Sequence, residues 1–141
     1  MNRKLALAPL AATLAAALAL SGPALAHHSF AMFDQTKEVE LKDATVVDWQ
    51  WTSPHAWLYV MVPNGEADPD KYSVEAANPG QLRRDGFTKG SMSPGDKVTV
   101  YMAPLKSGEK GGALRAVVLP DGKTLGARMD QPQDQAQSAA Q

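Results

Sequence analysis

The sequence predicts a mainly β protein, a small five-stranded barrel of the OB type with one short helix between the third and fourth strands. Two observations carry this prediction. Apolar and polar residues alternate with a period of two in a first stretch long enough to bend around a barrel, and four shorter strand-like stretches follow it. A single capped helical segment falls between the third and fourth stretches. A small β-sandwich is the alternative fold.

The chain begins with a segment typical of a secretory signal peptide. Arg3 and Lys4 precede an almost unbroken run of Ala and Leu over residues 5–20, and the small-residue cleavage motif Ala24-Leu25-Ala26 follows. We therefore expect residues 1–26 to be a signal peptide that is cut after Ala26. The protein would then lie in the periplasm, with no membrane span after processing. A retained anchor is the alternative, although the run is short for a span of ~20 residues.

Composition limits the partners and the chemistry of the processed chain. The signal peptide holds two of the 14 Lys and Arg residues and none of the 15 Asp and Glu residues, so the remainder has a net charge of −3. A mildly acidic chain without a basic stripe does not fit a nucleic-acid partner. Its length fits one domain. The sequence has 0 cysteines, which excludes thiolate metal sites and cysteine catalysis.

The first strand is predicted from residue 37 onwards. Its buried face is expected to hold Val39, Leu41, Val47, Trp49 and Trp51. The residues Asp43-Ala44-Thr45 interrupt this apolar face, so we expect a bulge there that lets one long strand bend around the barrel.

The second strand is predicted over residues 55–62 and the third over residues 71–76. The second is apolar on both faces, with Leu58 and Val60 on one side and Trp57 and Tyr59 on the other. A strand of that kind is either buried twice or carries a binding face. Residues 63–70 read as a polar loop between the two strands.

A short helix is predicted to follow the third strand. Asn78 can cap its first turn, Pro79 fits the first helical position, and Leu82 is expected to face inward. Gly86 would end the helix in the left-handed conformation, with Phe87 packing back on the last turn.

Two further strands complete the predicted domain of residues 27–125. They cover residues 97–102 and 113–119, with Tyr101 expected to face outward. Residues 126–141 hold Gln, Ala, Asp and Pro with little apolar side chain to bury, so we expect a disordered tail.

Several motifs of the chain resemble a family of small exported bacterial proteins of unknown function, the domain-of-unknown-function family 6152. The motifs are His27-His28-Ser29-Phe30, the block of residues 49–57, Asn78-Pro79-Gly80, residues 94–98 and residues 119–122. The resemblance covers nearly all of residues 27–125. It implies export and a single domain, and it brings no established activity. The family tends to carry Gly at Asp43 and Asn at Ser53.

The histidines suggest a copper site. After cleavage, His27 would offer an α-amine and an imidazole nitrogen to one ion, and His55 would complete a three-nitrogen histidine brace that suits Cu(II). His28 offers a competing local chelate from the amine, its own amide and its imidazole. The alternative is a solvated N-terminus without metal and a His55 held only by the turn at Pro54.

An aromatic face is the second candidate site. In OB-type barrels the turn between strands one and two and the loop between strands four and five flank the ligand. Trp51, Trp57 and Tyr59 lie around that turn, and Lys106 lies on that loop. Aromatic rings with nearby cations could bind a sugar, an aromatic molecule or a peptide strand. For Trp51, a place in the core is the alternative.

Motifs of enzyme chemistry are absent from the sequence. It holds no Gly-x-Ser-x-Gly, no His-Glu-x-x-His and no Gly-rich phosphate loop. We therefore predict a periplasmic, non-catalytic binding module with its ligand at the aromatic face. A copper-binding protein is the alternative, and a structural partner of an exported oxidoreductase is a third hypothesis.

Overall fold

The computed structural model describes residues 28–65 and 67–130. The predicted signal peptide, His27 and residues 131–141 lie outside the described residues, as do the side chains of His28 and Ser29. A short helix, α1 (His28–Ala31), belongs to a first unit that ends at Ala31, and Phe30 in this helix is exposed. All strands belong to the second unit, which begins at Met32.

Six strands and a second helix form the second unit. In chain order they are β1 (Val39–Gln50), β2 (Trp57–Asn64), β3 (Ala67–Glu75), α2 (Pro79–Arg84), β4 (Lys97–Pro104), β5 (Gly111–Val118) and β6 (Thr124–Gly126). The sheet order is β3-β2-β1-β4-β5-β6, and a parallel pairing between β3 and β5 closes the first five strands into a barrel. The predicted mainly β barrel with a helix between strands three and four is confirmed. Because the sheet closes through the β3–β5 pairing, the alternative β-sandwich is excluded.

β1 bends at two bulges rather than one. Its register shifts between Leu41 and Ala44, where Asp43 has a φ of 53°, and again between Val46 and Asp48. The first shift confirms the predicted bulge. The first shift moves the next side chains to the opposite face, so Val46 is buried and Val47 is 41% exposed, and the second shift turns Trp49 inward again. The prediction that Val47 faces the core is therefore wrong.

β2 and β3 form a tight hairpin in place of the predicted loop over residues 63–70. Asn64 pairs with Ala67, so only residues 65–66 connect the strands. Pro69 is tolerated within β3 because β5 pairs with β3 only near its other end, which leaves this part of β3 as an edge. Leu58 and Val60 form the inward face of β2 and Val74 lies on that of β3, since all three are fully buried.

α2 has the predicted caps at both ends. The side-chain oxygen of Asn78 accepts a hydrogen bond from the backbone N–H of Gln81 at 3.0 Å. Gly86 has a φ of 87°, and the N–H of Phe87 donates to the carbonyl of Leu82 at 2.8 Å. Leu82 and Phe87 are both buried, so the helix closes one end of the barrel core.

The C-terminal part of the domain departs from prediction at Tyr101 and after β5. Tyr101 is buried, because the Arg128 guanidinium lies 4.2 Å from its ring centroid. Its hydroxyl donates to Glu40 at 2.7 Å. The unpredicted strand β6 adds Leu125 to the core. Residues 127–130, within the segment expected to be disordered, include Met129, whose N–H donates to Glu38 at 3.0 Å.

The barrel encloses one continuous hydrophobic core. Its buried members are Leu41, Ala44, Val46, Trp49, Ala56, Leu58, Val60, Val74, Ala76, Leu82, Phe87, Met92, Val98, Val100, Met102, Val117 and Leu125. Within residues 28–65 and 67–130, none of the helices has the length and apolar character needed to cross a bilayer.

Candidate functional site

The barrel wall separates the predicted aromatic group into two sets. Trp49 belongs to the core, and its indole N–H donates to the carbonyl of Thr88 at 3.0 Å. Trp51 packs edge-on against Trp49, with ring centroids 5.6 Å apart, and the guanidinium of Arg83 lies 5.7 Å from the Trp51 centroid. Trp57 alternates with the buried Leu58 and therefore lies on the outer face. The structure does not bring Trp51 together with Trp57.

Trp57 and Tyr59 form a stacked pair on the outer face of β2. Their ring centroids are 6.3 Å apart and their planes differ by 18°. Both residues are partly exposed. The ammonium group of Lys71, from the neighbouring strand β3, lies 5.6 Å from the Tyr59 centroid. The pair is therefore an aromatic surface outside the core, and one of its rings already holds a cation.

A cavity of about 260 Å³ opens beside Trp57, at the place where β5 begins and pairs with β3. It is lined by Met32, Phe33, Trp57, Ser73, Glu75, Leu105, Glu109, Lys110, Gly111 and Gly112. Phe33 is buried and bridges to Leu105, which fixes the apolar wall. We call this space the seam cavity, because it lies along the seam that closes the barrel.

Two glycines at the start of β5 let this strand approach its neighbours β3 and β4 closely. A Cβ atom on Gly111 would lie 2.6 Å from the carbonyl oxygen of Ser73 on β3. A Cβ atom on Gly112 would lie 2.8 Å from the sulfur of Met102 and would overlap the carbonyl oxygen of Ala103 on β4. Gly111 and Gly112 therefore contribute only backbone to the cavity, and its lining side chains come from the larger residues around them.

His55 and Glu75 are in direct contact at the edge of the seam cavity. The contact joins Nδ1 of His55 to a carboxylate oxygen of Glu75, whose side chain is only 13% exposed. A carboxylate on Nδ1 orients the imidazole and assigns Nε2 as the nitrogen that a ligand or metal would meet. Glu75 also pairs with Trp57 across the hairpin. One carboxylate thus links the histidine to the cavity.

Neither of the candidate sites predicted from the sequence includes Glu75. The signal was present in the hairpin. Glu75 lies opposite Trp57, one outward position away from His55, because Asn64 pairs with Ala67 and the register then shifts by one residue between Asn64 and Val62. That register required a connection of two residues, and residues 63–70 read as a loop instead.

Most of the polar groups around the cavity form hydrogen bonds or ion pairs. Lys110 is ion-paired with Asp70. Glu109 accepts a hydrogen bond from the hydroxyl of Ser107 at 2.8 Å. Lys106, the predicted cation of this loop, is exposed, and its backbone N–H donates to the carbonyl of Met32 at 2.9 Å. The loop brings Lys110 rather than Lys106 into the lining of the cavity.

The predicted copper ligands are only partly within the described residues. His27 and the side chain of His28 lie outside them, while His55 is held by Glu75. Among the residues that the structure describes, no three His, Asp or Glu side chains cluster in a way that could hold a metal ion. The structure thus gives the position of one predicted ligand, and the convergence of the three stays a prediction.

Comparison with curated proteins and with solved structures finds no match. A family model matches residues 15–115, which is more than half of the chain, and its description is a family of unknown function, DUF6152. This confirms the resemblance that the sequence motifs carry. The chain belongs to this family of unknown function.

Proposed function

We propose that this protein is a periplasmic, non-catalytic binding module whose ligand lies in the seam cavity against the Trp57–Tyr59 pair. The single observation that carries the proposal is a cavity of about 260 Å³ with a partly exposed Trp ring as one wall. The core does not need this ring, since Leu58 and Val60 fill the inward face of β2.

The size and lining of the cavity limit the ligand. Drug-sized ligands occupy clefts of ~300–1,000 Å³, so this cavity suits a smaller group, such as one ring or one side chain. The lining combines apolar side chains at Phe33 and Leu105 with polar groups at Ser73 and Glu75. Among the predicted ligand-binding residues, the geometry favours Trp57 and Tyr59 over Trp51, whose ring packs against Trp49.

The test uses the processed protein and nuclear magnetic resonance of the tryptophan indole groups. The probes are a small sugar, an indole derivative, a short peptide, an alkylammonium ion and an alkyl carboxylate. We expect at least one probe to shift the Trp57 signal with saturation. In the variants, binding is followed through the NMR signals of the probe itself: Trp57→Phe should abolish binding, and the matched control Trp51→Phe should keep it. If no probe shifts Trp57, or if both variants respond alike, the cavity is not the binding site.

A copper site is the second candidate, and one observation favours it. Met32 and Phe33 line the same cavity as Glu75, which holds His55. His27 precedes Met32 by five residues, and an extended chain reaches at most about 3.6 Å per residue, or about 18 Å in total. The segment from His27 to the cavity wall at Met32 therefore spans at most about 18 Å. His27 can approach His55 from that wall, without a chain path along the length of β1.

Copper titration of the exported, processed protein separates the metal sites. Tight one-to-one binding of Cu(II), followed by electron paramagnetic resonance, should disappear after one residue is added before His27 and after His55→Ala. Binding that is lost in His28→Ala and kept in His55→Ala would assign only the local chelate. Binding no tighter than that of a generic His-containing peptide would exclude a copper function.

Export itself has a direct test. Mass spectrometry of the protein from the periplasmic fraction should give a chain that begins at His27. A chain that retains residues 1–26 would contradict both the processing and the copper site, because the brace needs the free α-amine of His27. A structural role beside an exported oxidoreductase stays a third hypothesis.

A further inference from the structure

We infer that the ligand of the seam cavity carries a positive charge, as an ammonium or guanidinium group on a short apolar stem. This inference rests on the proposed function, because it names the chemical class of ligand for the same cavity. Three features of the lining carry it: the balance of charge, the aromatic surface, and the apolar wall.

The charges that line the cavity leave an excess of carboxylate. Glu75 and Glu109 contribute two carboxylates, and Lys110 contributes one ammonium group. The Lys110 charge is already neutralised by Asp70. The partners of the carboxylates do not cancel their charge in the same way, since Ser107 is neutral and His55 is charged only when protonated. A cation entering the cavity therefore meets uncompensated negative charge, and an anion meets repulsion.

The aromatic surface favours the same sign of charge. The faces of Trp and Tyr rings carry negative quadrupole charge and attract ammonium and guanidinium groups. This chain shows that preference on the same stacked pair, where the ammonium of Lys71 lies over Tyr59. It also places Arg128 over Tyr101 and Arg83 over Trp51. Trp57 is the member of the stacked pair that faces the cavity, and a ligand cation there would repeat this arrangement.

The apolar part of the lining fits an apolar stem. Met32, Phe33 and Leu105 line the cavity together with the charged groups. A small inorganic cation would leave this wall unfilled and would meet no cluster of three ligating groups in the part of the chain that is described. An alkylammonium ion or the side chain of a Lys or Arg residue would use both the apolar wall and the carboxylates.

Three probes of equal length and different charge test the inference. They are n-butylammonium, n-butanol and butyrate, titrated into the processed protein while the Trp57 indole signal is followed. We expect n-butylammonium to bind at least ~10-fold more tightly than n-butanol, and butyrate to bind least. A capped Gly-Lys-Gly peptide, added as a fourth probe, distinguishes a peptide side chain from a free small cation as the source of the charge.

Matched carboxylate variants locate the effect. Glu109→Gln should weaken n-butylammonium ~3- to 10-fold and leave n-butanol unchanged. Asp121→Asn is the control, because it removes the same charge in an exposed turn that follows the far end of β5, and its side-chain oxygen can still accept the N–H of Lys123. Glu75→Gln is a second variant at the cavity. Because Glu75→Gln also alters the contact with His55, its effect is compared with that of His55→Ala, which keeps the Glu75 carboxylate.

The outcomes separate this inference from the proposed function. Binding of n-butanol or butyrate as tight as that of n-butylammonium keeps the binding module and overturns the cationic ligand. A cation preference that neither Glu109→Gln nor Glu75→Gln reduces also overturns it. If none of the probes shifts Trp57, the binding module and the cationic ligand both fail.

Discussion

The closure of the barrel depends on Gly111, and Gly111→Ala measures that dependence. The added Cβ would lie 2.6 Å from the carbonyl oxygen of Ser73, whereas close C···O contacts in sheets are about 3.3 Å. β3 and β5 would therefore have to separate by about 0.7 Å at a position where their parallel ladder closes the barrel. The obstacle is backbone, which cannot rotate away as a side chain can. We expect a loss of about 3 kcal/mol, the upper part of the range for overpacking.

Thermal and urea unfolding give the magnitude. In a domain of this size about 1 kcal/mol corresponds to about 4–8 °C in Tm, so Gly111→Ala should lower Tm by about 12–24 °C. Gly90→Ala is the matched control, because nothing lies within 4 Å of its added Cβ. The control should stay within about 1 kcal/mol of the parent. A Gly111→Ala protein as stable as the Gly90→Ala protein would refute the close approach of the two strands.

Three further predictions concern single contacts. Asp43→Gly should raise the free energy of unfolding by about 0.5–1 kcal/mol, because Asp43 has a φ of 53°, in a region that disfavours side chains. An unchanged free energy of unfolding in urea would contradict that backbone conformation. Asn78→Ala should cost about 1 kcal/mol and Asn78→Asp only a few tenths, whereas equal losses would show that the cap of α2 contributes nothing. The hydrogen bond to Glu40, and then burial, raise the pKa of Tyr101 above its usual 10, so the stability that this contact gives is complete below pH 10 and is lost as the pH rises through the raised value. Absorbance titration should show this late tyrosine in the parent and an earlier one in Glu40→Gln, and identical curves would exclude the contact.

The strands and the helix could be predicted because each has a local signal. Alternation marks β3 and β4, apolar runs bounded by turn residues mark β2 and β5, and the caps of α2 lie within residues 78–87. The faces of β1 could be predicted only in part. A bulge shows in sequence where it interrupts an apolar face, as at Asp43, but Val46 and Val47 are equally apolar. No feature of the neighbouring sequence indicates which of these two adjacent valines faces the core.

Long-range pairing explains the remaining differences. The strand β6 has only three residues, and it forms because β5 offers an open edge and Leu125 can reach the core. Tyr101 alternates with buried residues as an outward residue should, and it is covered by Arg128 from a segment 27 residues later in the chain. Neither partner can be inferred from the sequence around the residue it contacts.

The candidate site follows from the way in which the barrel closes. Closing five strands brings β3 and β5 together in parallel, and the approach is close enough that only glycine fits at Gly111. Gly111 therefore contributes no side chain to the lining of the seam cavity. Because side chains alternate along β2 and β3, the register of their hairpin places Trp57 and Glu75 in the same lining. The same substitution, Gly111→Ala, should therefore lower stability and displace the strands that line the seam cavity. Loss of binding to n-butylammonium under conditions where that variant is still folded would connect the two, whereas unchanged affinity would place the ligand elsewhere on the aromatic face.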